Sequence, residues 1–138
     1  MSRSGYLDDC GYDEHNIGNL YRATVHRAIN GKRGQSFLHE LLAALDAMPV
    51  KELISDELVT AEGQVCAIGA VCQARGLDVS KLDYEDARAV GAQVGIAWQM
   101  AAEIEYENDK DDRYYRAGTE SPDQRWQRMR KWAEASIR

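Results

Sequence analysis

The stretch 34–48, GQSFLHELLAALDAM, constrains the fold more than any other part of the chain. Phe37, Leu38, Leu41, Leu42, Leu45 and Met48 recur at three- and four-residue spacing, which gathers them within roughly 140° of one helical face. A stripe that wide has to be covered, and Pro49 ends the helix that carries it. Just upstream, Ile17, Leu20, Tyr21, Val25, Ala28 and Ile29 form a second stripe over residues 17–30. Asn16 stands at its N-cap position, and Gly31 stands where a helix C-terminus favours a positive φ. The spacing therefore predicts two helices folded as an α-hairpin, with GKRG (31–34) at the corner.

Downstream, Leu58-Val59, the turn-like Ala61-Glu62-Gly63 and Val65-Cys66 read as one short β-hairpin near residues 57–66. The following CAIGAVCQARG reads as a helix closed by Gly76. Asp83 opens a long helix with Glu85 and Asp86 in its first turn, where carboxylates suit the helix dipole. Val90, Val94, Ala97, Trp98 and Ala101 line its inner face, while Gly91 and Gly95 point to close packing or to a break near residue 92. Ser121-Pro122-Asp123-Gln124 is a capping box with proline at the first helical position, ahead of a stripe of Trp126, Met129, Ala133 and Ile137. With only two prolines and one phenylalanine in 138 residues, the expected fold class is mainly α. The pattern predicts a compact bundle of about five helices, with the hairpin as its one β feature. It spans a single domain, 1–138, that begins with an acidic arm over about 1–15.

The uncharged stretch 63–74 is too short and too glycine-rich to cross a bilayer. The start, MSRSGYLDDC, lacks the apolar core of a signal peptide, so the expected location is cytoplasmic, with no membrane partner. Cys10, Cys66 and Cys72 are odd in number and read as reduced thiols.

Charge is distributed unevenly around the net value of -6. Residues 103–112 carry six acids and one lysine, whereas 113–138 carry seven bases and three acids. Neighbouring blocks of opposite sign either attract each other or serve different partners. In the first case Arg125, Arg128 and Lys131 neutralise 103–112 as exposed pairs, which contribute little to stability. In the second, Arg125, Arg128 and Trp132 form an exposed binding flank, since arginine and tryptophan suit both protein interfaces and stacking beside phosphates. Lys32, Arg33 and Gln35 of NGKRGQ are the other candidate contacts. This corner is no Walker loop, because a helix precedes it and Ser36 does not follow a lysine. It does place two cations at a helix N-terminus, which favours anions.

Asp8, Asp9, Glu103, Glu107 and Asp109 are the candidate acidic site. Paired carboxylates perform acid–base work only where a pocket desolvates one of them. Asp8, Asp9, Cys10, Asp13 and His15 are metal-ligand types without the second pair that zinc sites show. Asp109, Asp111 and Glu120 match calcium-loop positions, but Arg113 and Tyr114 break that count. His26 and His39 accompany no nucleophile motif. The expectation is therefore no cofactor, no metal and no catalytic residues.

Four segments together, SGYLDDC, GKRGQSFLHELLAALDAMP, EGQVCAIGAV and EIEYEND, resemble short hypothetical proteins of tailed bacteriophages and prophages, across residues 4–109. The resemblance implies a bacterial host cytoplasm and an accessory role in infection or lysogeny, of the host-takeover or anti-defence type. The leading expectation is thus non-catalytic binding to a host or phage protein, with self-association as a further form of contact. The alternatives are nucleic-acid binding through GKRG and the last helix, or a carboxylate-based, metal- or nucleotide-dependent enzyme.

Overall fold

A computed structural model describes residues 14–114 and 120–138, and six helices occur in them. They are α1 (Glu14–Asn30), α2 (Lys32–Ala47), α3 (Ala67–Arg75), α4 (Ala87–Val94), α5 (Trp98–Tyr114) and α6 (Pro122–Ser136). The chain is mainly α, as its periodicity predicts. Cys10 and residues 1–13 of the acidic arm lie outside the described residues.

The stripe of α2 is the centre of the core. Leu38, Leu41 and Leu45 are fully buried and Phe37 nearly so. They meet Ile68 and Val71 of α3, Met100 and Ile104 of α5, and Met129 and Ala133 of α6 in one apolar cluster. Truncating a leucine in such a core typically costs about 2–5 kcal/mol, so α2 sets the stability of the assembly. Trp126 packs half-buried against this core and donates its indole N–H to the Leu45 carbonyl at 3.1 Å, satisfying one terminal carbonyl of α2.

The boundaries depart from expectation in three places. Helix α1 starts at Glu14, so Asn16 lies inside it and not at its cap. Gly31 has φ -72 and is the extended N-cap of α2; no left-handed residue separates α1 from α2. The long helix expected from Asp83 is two helices. Asp86 caps α4 through the Ala89 amide, and Gly95, at φ 85, closes it. The break thus falls at 95–97. Gly91 is a close-approach position, because a Cβ there would sit 2.8 Å from the Ile96 carbonyl oxygen.

Residues 57–66 form one isolated antiparallel bridge, Val59 to Val65, and no strand occurs among the described residues. The ladder stops because Cys66 is already the N-cap of α3, its sulfur accepting from the Gly69 amide. Cys66 and Cys72 are free and buried. The capping box at Ser121 forms in full, with both reciprocal hydrogen bonds present.

Candidate binding surface

The two arginines expected on an exposed flank of the last helix point inward. Arg125 is 4% exposed; its Nε donates to the Asn108 carbonyl at 3.0 Å, and its guanidinium lies 3.5 Å from Glu120. Arg128 grips Glu120 with Nε at 2.6 Å and Nη2 at 2.9 Å, and also donates to the carbonyls of Glu107 and Asn108. These arginines do dock α6 onto the 103–112 segment. They hold it by the Glu107 and Asn108 backbone carbonyls within α5, with Glu120 as a charge partner. The expectation of exposed pairs worth little is therefore corrected: a bidentate pair on a carboxylate whose side chain is 6% exposed is a structural clamp. Trp132 packs half-buried against the core, while Lys131 is exposed.

The acidic candidates are dispersed in role. Asp8 and Asp9 lie outside the described residues. Glu103 is half-buried, and Glu107 pairs with Lys110 at 3.0 Å. Asp109 is buried: it accepts the Tyr84 hydroxyl at 2.6 Å and the Asn108 side-chain amide at 2.7 Å, with the Asp56 amide at 3.4 Å. Burial pushes its carboxyl above the ordinary range, against hydrogen bonds from Tyr84 and Asn108 that favour the ionised form. Neighbouring Asn108 accepts from the Ala67 amide and donates to the Ile54 carbonyl. This polar knot fastens the 54–56 loop and the start of α3 to α5. Among the described residues, no three His, Cys, Asp or Glu side chains converge as a metal-ligand set.

At the GKRG corner, each residue type has a separate task. Gly34 is buried, and a Cβ there would lie 2.0 Å from the Ala28 carbonyl oxygen, so the second glycine lets α1 and α2 cross closely. Gln35, a candidate contact, is instead a tie. Its side-chain amide donates to the carbonyls of Ile29 and Ser136, and its oxygen accepts the Arg138 amide. Arg138 in turn donates from Nε to the Asn30 side chain at 3.0 Å. The chain's last residue thereby joins the corner, a contact that no sequence pattern signals, since 108 residues separate the partners.

Lys32 and Arg33 remain exposed and make no ion pair or side-chain hydrogen bond with any described residue. They occupy the first turn of α2, which contains no acidic residue. Cations there oppose the helix dipole, so local stability alone would favour acids at both positions. No acid occurs anywhere in residues 18–39, which also carry Arg22 and Arg27. With Arg138 docked at Asn30, its guanidinium joins Lys32 and Arg33 at the corner.

Comparison of the chain with family models, with curated proteins and with solved structures finds no match.

Proposed function

We propose that the protein acts by non-catalytic binding, and that Lys32 and Arg33, supported by Arg138, form the contact surface for an acidic patch on a partner protein. One observation carries this reading. Arg75, Arg125, Arg128 and Arg130 are engaged with carboxylates or carbonyls, whereas Lys32 and Arg33 are held uncommitted at a position where they cost the helix stability. The partner proposed is a host or phage protein met in a bacterial cytoplasm, and the role an accessory one; both rest on the resemblance of the four sequence segments alone, since no compared protein matches the chain. The carboxylate-enzyme reading is weaker, because Glu107 and Asp109 are occupied by Lys110 and by Tyr84 and Asn108.

Nucleic acid is the second reading, favoured by the same free cations. Three or four cations on a chain of net charge -6 neutralise few phosphates, which limits affinity at physiological salt. Pull-down from bacterial lysate with wild type and with Lys32→Glu/Arg33→Glu in parallel tests the protein reading through partners lost only from the variant. A gel shift with single- and double-stranded DNA across a salt series tests the second.

A further inference from the structure

At the far end of α2, about 24 Å from the corner by helical rise, the chain forms a surface of opposite character. A cleft of about 350 Å³ opens there, walled by Val50, Ile54, Val65 and Pro122 and bordered by Glu52 and Glu62. No lysine or arginine lines it. Lys51, which sits between two lining residues, is turned away: its ammonium caps the Asp46 and Met48 carbonyls and lies 5.5 Å from the Trp126 ring centre. Val50 is 59% exposed, one of two large apolar side chains left open among the described residues. Glu52 and Glu62 make no ion pair or side-chain hydrogen bond with any described residue.

The walls are preformed. The Ile54 amide donates to Val65, the Leu53 amide to Pro122 and the Thr60 amide to Gln64. Gly63, at φ 86, turns the loop, and Gln73 holds its carbonyl at 3.2 Å. A rigid, partly apolar cleft of this size avoids the ordering cost that weakens binding at loose loops.

We infer that this cleft docks a segment of a partner protein carrying an arginine or lysine next to apolar residues. The chemistry selects that occupant. A long basic side chain lays its methylenes on apolar surface and keeps its charged head outside, which matches apolar walls under two free carboxylates. A hard metal ion needs six or more oxygens, and nucleic acid is repelled by the same acids. The inference stands apart from the corner, so the Lys32→Glu/Arg33→Glu variant keeps this binding whatever becomes of the first reading.

The test is fluorescence anisotropy of the full chain with a labelled acetyl-Leu-Arg-Leu-Arg-Leu-amide peptide at physiological salt. Saturable binding is expected, weakened about tenfold by Glu52→Gln/Glu62→Gln, as two exposed charge contacts would give. Val50→Asn should weaken it as well. Glu57→Gln/Glu85→Gln removes the same charge from exposed positions outside the cleft and should leave binding intact, and a Leu-Glu peptide should not bind. All the substituted side chains are exposed, and matching circular dichroism shows that each variant is folded. Equal weakening by the two double variants would mean general attraction to an acidic protein and would overturn the inference. So would absence of saturable binding.

Discussion

The side-chain amide of Gln35 lies 3.1 Å from the Ser136 carbonyl, joining the first turn of α2 to the end of α6 across 101 residues of sequence. At the other end of the same pair of helices, Trp126 reaches Leu45 and Arg130 reaches Asp46. The helices are therefore antiparallel along their whole length. Gln35→Ala removes a half-buried amide that serves both Ile29 and Ser136, and should cost about 1–3 kcal/mol. Hydrogen exchange should show the last turn of α6 opening first; protection unchanged there would contradict the assignment.

The corner tolerates no side chain at residue 34. A Cβ at Gly34 would meet the Ala28 oxygen at 2.0 Å and the Ile29 oxygen at 2.7 Å, both backbone atoms that cannot swing aside. Gly34→Ala is expected to cost about 3 kcal/mol, at the upper end of overpacking penalties. Gly31→Ala, with its nearest atom at 3.1 Å and an ordinary φ, should be milder. Denaturant melts of the two variants decide the order, and equal losses would argue against a close crossing at residue 34.

Arg128 is a structural residue. Arg128→Glu would remove donors from the Glu107 and Asn108 carbonyls and place a second carboxylate against Glu120. The expected loss is about 3–5 kcal/mol, as for breaking a largely buried pair. Charge reversal at exposed Lys131, three residues on, should change the melt by less than about 0.5 kcal/mol. Similar melts for the two variants would return Arg128 to the surface.

Asp109 gives the chain a pH signature. Its folded carboxyl is raised above the unfolded value of 3.8, chiefly by burial, so the folded state binds that proton more tightly. Its contribution to stability is fullest at low pH and declines as pH rises through the folded value. Glu40 runs the other way: the Arg75 hydrogen bond lowers its carboxyl, and its contribution is lost as pH falls from about 4.5. Asp109→Asn should therefore gain on wild type between pH 4 and pH 7, while Glu40→Gln should lose. Thermal melts at both pH values check the two signs independently.

How legible these features were in sequence depends on how local their causes are. The α2 stripe and the Ser121 capping box could be read because every interacting group lies within a few residues. The break at Gly95 could not, since Gly91 and Gly95 look alike until one is seen to need close approach and the other a positive φ. Sequence spacing misplaces Arg125 and Arg128 for a related reason. Helical spacing set them beside the buried stripe, but Glu120 and the α5 carbonyls that draw them inward are tertiary partners. Lys32 and Arg33 are exposed as their polarity suggests, but they lie in the first turn of α2 and not in a turn ahead of it, because Gly31 caps α2 instead of closing α1.

The most direct test of the account is to measure the Lys32→Glu/Arg33→Glu variant for both stability and binding. Acids in the first turn of α2 complement the dipole by about 0.3–1 kcal/mol each, so the melting temperature should hold or rise, by about 2–8 °C for the pair. Partners held by the corner should be lost from lysate capture at physiological salt with this better-folded protein, while the basic peptide still binds at the cleft. A variant that captures the same partners as wild type would contradict the central claim, because the uncommitted cations at the corner would then serve no contact.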